Sequence, residues 1–133
     1  MKNMKKILEE LDSRDRIAIS GHIRPDGDCV GSCMGLYLYL KKTLPTAQVD
    51  VYLEKPAPVF SCIDRLEEIK TDCSAEIVYD VCIAVDTAAD RLGDAEKYFR
   101  AAKKTINIDH HVSNMQGCGM VNYVNPAASS ASE

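Results

Sequence analysis

Short apolar runs alternate along this chain with longer stretches in which apolar residues recur every three or four positions. The short runs predict β-strands at residues 16–20, 49–53, 81–85, 104–108 and 119–124. The third run, Val81-Cys82-Ile83-Ala84-Val85, contains no polar residue, which is typical of a strand buried on both faces of a sheet.

The longer stretches predict amphipathic helices at residues 3–12, from 28 or 29 to 42, and at 94–102, and residues 59–68 are a weaker candidate. Asp94 is placed to cap the third of these helices. Glycines at every fourth position from Gly27 to Gly35 predict that the second helix packs closely on a sheet. The apolar face of that helix comprises Val30, Met34, Leu36, Tyr37, Leu38 and Leu40.

Alternating strands and helices predict an α/β fold of three layers, with a mainly parallel sheet and helices on both faces. His22 follows the first strand, Asp86 ends the third, and Asp109 ends the fourth. The carboxyl ends of parallel strands meet at one edge of a sheet, where open α/β folds bind their ligands. We therefore expect three distant segments to meet in one cleft.

Composition limits the functions that this cleft can serve. The 133 residues suffice for one domain or part of a larger one, and the net charge of −4 excludes a polybasic nucleic-acid-binding surface. No apolar run reaches membrane-spanning length and the N-terminus is not a signal peptide. The six cysteines show no Cys-x-x-Cys pair, which favours buried thiols over ligands or disulfides and a cytoplasmic location.

The chain concentrates its imidazoles and several of its carboxylates in two segments. All 3 histidines fall within His22-Ile23-Arg24-Pro25-Asp26-Gly27-Asp28 and Asp109-His110-His111. Clustered carboxylates repel one another, and divalent cations relieve that repulsion. Imidazole and carboxylate donors without thiolate favour Mn²⁺, followed by Mg²⁺ or Co²⁺. Taken singly, Asp26-Gly27 could be an ordinary turn, and His110 and His111 a helix cap or surface pair.

These segments resemble the motifs of the DHH phosphoesterases, in the order that the family has them. The first motif is similar to His22-x-x-Pro25-Asp26-Gly27-Asp28 with Gly31-Ser32, and the second to Val85-Asp86-Thr87. The third is similar to Asp109-His110-His111 with Asn114, and residues 122–130 also resemble the family. The resemblance is nearest to the branch of nanoRNases and phosphatases of 3′-phosphoadenosine 5′-phosphate (pAp).

The resemblance implies two divalent metal ions, for which Mn²⁺ is the first candidate. It implies the metal ligands His22, Asp26, Asp28, Asp86 and His110, with Asp86 bridging the two ions. Asp109 would orient the site, His111 would contact the scissile phosphate, and Asn114 would bind substrate. The implied substrates are short oligoribonucleotides, cleaved to mononucleotides, or pAp, cleaved to AMP and phosphate. No membrane partner is implied, and a homodimer is possible.

The family resemblance also implies that residues 1–133 are an incomplete N-terminal catalytic domain. Family members carry a fourth motif, with a further aspartate ligand, and a C-terminal substrate-binding domain, and these 133 residues contain neither. We therefore expect this polypeptide alone to be weakly active or inactive. Two alternatives stay open: another DHH hydrolase, such as a pyrophosphatase or a RecJ-type exonuclease, and a metal- or nucleotide-binding regulatory module without catalysis.

Overall fold

The computed structural model describes residues 9, 11–12, 15–24, 27–55, 58, 66–87, 92–109, 119 and 121–124. Within them, strands β1 (Arg16–Ser20), β2 (Gln48–Tyr52), β3 (Val81–Val85), β4 (Lys104–Asp109) and β5 (Val121–Val124) form one sheet. The helices are α1 (Gly27–Thr43) and α2 (Glu96–Ala101), and 3₁₀ turns lie at Leu66–Glu68 and Gly93–Ala95.

All strand pairs in this sheet are parallel, in the order β2-β1-β3-β4-β5. The chain leaves β1 for β2 on one side and then returns to place β3 on the other. This order confirms the predicted α/β class, and it creates a crevice between the carboxyl ends of β1 and β3, where the winding reverses.

Alternating side chains of the central strands enter two separate cores. Ile17 and Ile19 of β1 pack in one cluster with residues of α1, whereas Ala18 packs in the other with residues of α2. The side chains of β3 divide between the two cores in the same way, and all five of its residues are buried. The sheet is therefore covered on both faces, as the unbroken apolar run of β3 predicts.

The helix α1 buries the side chains that its periodicity places on one face, and only Leu38 of that set is partly exposed. The expectation about its glycines is wrong. Gly31 and Gly35 lie on the exposed side of α1, and a methyl group added to either would meet no atom within 4 Å. Their spacing therefore does not reflect packing on the sheet.

The helix after β3 is shorter than its sequence predicts. Asp94 lies inside a 3₁₀ turn, and α2 begins at Glu96 with Ala95 at its N-cap and no side-chain cap. Gly93, the first residue of that turn, has a positive φ of 66°, which glycine adopts without strain. The predicted cap is therefore wrong.

Two predicted helices lie largely outside the described residues, those at 3–12 and 59–68. Of the second, the structure shows the 3₁₀ turn at Leu66–Glu68. In the described part of the chain, no helix combines the length and the apolarity that crossing a membrane requires.

Candidate metal site at the carboxyl edge of the sheet

The sheet brings the ends of its three inner strands together at the predicted edge. His22 lies two residues beyond β1, Asp86 follows β3 directly, and Asp109 is the last residue of β4. Because β1 and β3 are neighbours, His22 and Asp86 lie on either side of the crevice where the winding reverses. All three side chains are buried.

His22 and Asp86 are in direct contact. The His22 Nε2 atom lies 3.3 Å from Asp86 Oδ2. The other ring nitrogen, Nδ1, lies 2.7 Å from the carbonyl oxygen of Ile23. A carbonyl can only accept, so Nδ1 carries the proton and donates it. In the neutral ring, Nε2 then presents its lone pair to a carboxylate oxygen, and two such acceptors need a cation or a proton between them.

Asp86 is held by an unusual backbone conformation and by hydrogen bonds to β4. Its φ is 63°, in the left-handed region that residues other than Gly, Asn and Asp rarely adopt. Its backbone N–H donates to the carbonyl of Ile108 at 2.7 Å. This bond places Asp86 beside the end of β4, where Asp109 lies.

Asn107 fixes the segment that follows β3. Its Nδ2 donates to the carbonyl oxygens of Thr87 at 2.7 Å and of Ala84 at 3.2 Å. The side chain is completely buried, so both bonds are shielded from water. They connect β4 to the backbone on either side of Asp86 and hold that aspartate at the edge.

Cys29 adds a thiol to this pair. One ligand atom each from His22, Cys29 and Asp86 lie within 4.8 Å of one another, and all three residues are buried. Cys29 lies in the first turn of α1, and its Sγ packs against Gly21, where any Cβ would overlap it. The glycine thus gives the thiol the space to approach His22.

The donors present fit a divalent cation. An imidazole nitrogen, a carboxylate oxygen and a thiol sulfur are common ligands of transition metals. The short distance between His22 Nε2 and Asp86 Oδ2 and their burial favour a bound positive charge between them. The described residues therefore include a possible metal site.

A small cleft of about 100 Å³ opens beside His22. Two carboxylates, Glu54 and Asp94, line it together with Cys73, Leu53 and the backbone around Gly93. Burial, followed by the nearby Asp94 carboxylate, raises the pKa of the Cys73 thiol, so this thiol is protonated at neutral pH. Acidic walls repel a bare phosphate, and cations bound at the edge would offset that repulsion.

The structure does not test the complete set of predicted site residues. Asp28 lies in the first turn of α1, but its side chain is not among those described. The predicted residues that lie outside the described part of the chain are Asp26, His110, His111 and Asn114. For these residues, the roles as ligand, catalyst or substrate contact stay predictions.

Sequence reasoning missed two residues of this region. Cys29 was expected to be a buried thiol, which it is, but its place beside His22 and Asp86 was not expected. Its position in the first turn of α1, close to the ligand motif, is the only signal in the sequence. Asn107 is a polar residue between two apolar residues of a strand, Ile106 and Ile108, and that contrast is a usable signal of a buried hydrogen-bonding role.

Comparisons with known proteins found a matching family model and similar sequences. The family model described as "DHH family, N-terminal domain" matches residues 16–133. The bifunctional oligoribonuclease and PAP phosphatase NrnA of Bacillus subtilis is 31% identical over 128 residues, which cover 96% of this chain and 39% of that protein. A Streptococcus mutans protein named "Probable bifunctional oligoribonuclease and PAP phosphatase NrnA" is 33% identical over 136 residues. These cover 100% of this chain and 41% of that protein.

A solved structure shares the fold. An exopolyphosphatase-related protein from Bacteroides fragilis superposes with a TM-score of 0.77 at 23% identity, over 98% of this chain and 39% of that one. At that identity the likeness concerns the fold alone. The chain spans about two fifths of the length of the curated relatives it matches.

Proposed function

This chain belongs to the DHH family, and from that premise we propose that it is the metal-binding N-terminal part of a phosphoesterase. Its proposed substrates are short oligoribonucleotides, cleaved to mononucleotides, and pAp, cleaved to AMP and phosphate. The names of the relatives from B. subtilis and S. mutans support these substrate classes. The proposed partner is therefore a short oligoribonucleotide or a nucleotide substrate.

One observation carries the proposal. The buried contact between His22 Nε2 and Asp86 Oδ2 joins the ends of two neighbouring parallel strands at the ligand-binding edge. A structural ion pair would not need an αL aspartate anchored on β4. Backbone strain at such a position is typical of functional sites.

We assign the metal site to His22, Asp86 and the predicted ligands Asp26, Asp28 and His110. When bound there, divalent cations would neutralise charge on a phosphoryl group and lower the pKa of a coordinated water. Mn²⁺ is the first candidate, with Mg²⁺ and Co²⁺ next, and two ions is the proposed number.

The protein's own groups contribute orientation and charge. The bond from His22 Nδ1 to the Ile23 carbonyl fixes the ring so that Nε2 faces Asp86. Asp109, buried at the end of β4, is proposed to orient neighbouring ligands. His111 is proposed to contact the scissile phosphate and stabilise its growing charge, and Asn114 to hold the substrate.

The test compares two aspartates that flank the same strand. Asp86 follows β3 and Asp80 precedes it, so Asp86→Asn removes a proposed ligand whereas Asp80→Asn makes the same chemical change at the opposite edge. Mn²⁺ binding is measured by calorimetry, and hydrolysis with a labelled diribonucleotide and with pAp. We expect turnover by residues 1–133 to be low, because they span only about two fifths of the length of the relatives named for this activity.

The expected result is that Asp80→Asn retains Mn²⁺ binding and any hydrolysis, whereas Asp86→Asn loses both. Mn²⁺ binding that is unchanged in Asp86→Asn would refute the metal site. Metal binding without hydrolysis of either substrate by the complete enzyme would instead favour a binding module. The ratio of the two hydrolysis rates decides between oligoribonucleotide and pAp as the main substrate.

A further inference from the structure

We propose that the Cys29 thiolate is a metal ligand together with His22 and Asp86, and that it gives this half of the site an affinity for soft divalent cations such as Zn²⁺. The inference rests on the proposed metal site and adds a donor that no comparison assigns. The set of His22, Cys29 and Asp86 is called the thiol triad below.

The spacing of the thiol triad suits a tetrahedral cation. Donors at roughly 2.0–2.1 Å from a tetrahedral Zn²⁺ lie about 3.3 Å apart, and the distance from His22 Nε2 to Asp86 Oδ2 is 3.3 Å. The longer Zn–S bond of about 2.3 Å puts sulfur roughly 3.6 Å from the other donors. The ligand atoms of the triad all lie within 4.8 Å of one another, so small side-chain rotations close the remaining difference.

The surroundings hold the thiol in place. Cys29 is 0% exposed, and its Sγ occupies the space that a side chain at Gly21 would fill. Gly21 is the residue before His22, so the same backbone segment carries the imidazole and makes room for the sulfur. A purely apolar role for this thiol would not require its approach to an imidazole and a carboxylate.

The chemistry of the added donor changes the metal preference. On binding, the Cys29 S–H gives its proton to solvent and the sulfur forms a bond to the cation. Thiolate binds Zn²⁺ and Cd²⁺ well and contributes little to Mn²⁺ or Mg²⁺, which prefer oxygen. Soft cations should therefore compete with Mn²⁺ at the triad.

The experiment titrates the protein with Cd²⁺, Zn²⁺ and Mn²⁺, each alone. Cd²⁺–thiolate bonds give charge-transfer absorption in the near ultraviolet, which reports sulfur coordination independently of activity. The variants are Cys29→Ser and, as a matched control, Cys33→Ser, which changes another buried thiol one turn further along α1. We expect the absorption in the starting protein and in Cys33→Ser, and its loss in Cys29→Ser.

Zn²⁺ affinity should fall more than about 10-fold in Cys29→Ser, while Mn²⁺ affinity should change less than about threefold. Gly21→Ala is a second variant that keeps the thiol but displaces it from the triad, and it should lose the absorption too. Circular dichroism verifies that each variant is folded, so that a lost signal can be assigned to the site.

The two proposals fail in different ways. Charge-transfer absorption that survives in Cys29→Ser, or Cd²⁺ binding without such absorption, would overturn the thiolate ligand and leave the His22–Asp86 metal site standing. Absence of binding for all three cations in the folded starting protein would overturn the metal site as well.

Discussion

Asn107 offers a test of how the fold holds Asp86, through the variant Asn107→Ala. The change removes the two bonds that Nδ2 donates to the carbonyls of Thr87 and Ala84. Losing the donor of a buried carbonyl costs roughly 1–2 kcal/mol for each of these two bonds. We therefore expect the free energy of unfolding to fall by about 2–4 kcal/mol, as measured by urea denaturation.

The same variant should weaken metal binding, because the strained backbone at Asp86 loses its anchor. Changes to groups that orient a ligand typically cost about 10–100-fold in metal affinity, and calorimetry with Mn²⁺ measures this directly. Leu40→Ala is the matched control: Leu40 is buried in α1, about 16 Å along the helix from Cys29. Its loss should cost a similar 2–5 kcal/mol of stability without weakening the metal site of the folded protein.

Two outcomes would refute this reasoning. A stability loss below about 0.5 kcal/mol in Asn107→Ala would mean that the two bonds contribute nothing net. Equal Mn²⁺ affinities in folded Asn107→Ala and Leu40→Ala would mean that Asn107 stabilises the sheet without positioning Asp86.

Two further variants test a buried hydroxyl and the carboxylate that precedes β3. Tyr79→Phe removes a buried hydroxyl that donates a hydrogen bond to Asp50 at 2.7 Å, and burial raises the pKa of this hydroxyl. The variant should lower the free energy of unfolding, measured by urea denaturation, by about 1–3 kcal/mol. A decrease below about 0.5 kcal/mol would contradict this. Asp80→Asn should lower stability at pH 7, because hydrogen bonds from the Arg16 backbone and from Lys103 lower the pKa of Asp80. The stabilisation by the ionised Asp80 is present above the carboxyl pKa of the unfolded chain and is lost as the pH falls through the pKa of the folded protein. The difference in the free energy of unfolding between variant and starting protein should therefore vanish on acidification. A constant difference between pH 7 and about pH 3 would refute this prediction.

Much of the fold was predictable because the strands are short segments rich in β-branched residues, and β3 is a continuous apolar run. Burial on both faces removes the need for alternation, so β3 has the same bounds in the sequence and in the structure. The start of α2 was not predictable in this way. Asp94 has the chemistry of a cap, but it lies inside the 3₁₀ turn Gly93–Ala95 that precedes α2.

The candidate site was predictable only as a set of strand ends. That His22, Asp86 and Asp109 share an edge follows from parallel pairing alone. That His22 contacts Asp86 depends on β1 being next to β3, and strand order is a tertiary property that local patterns do not encode. The approach of Cys29 depends in addition on where α1 packs against Gly21.

The position of β1 and β3 in the middle of the sheet has a consequence for the order in which the molecule opens. Both strands have paired neighbours on each side, and the backbone N–H of Asp86 is itself bonded to β4. Buried central strands belong to the units that exchange their amide hydrogens last. The imidazole and carboxylate thus follow strands that we expect to exchange slowly among the described residues, and they would remain assembled while outer segments fray and re-form.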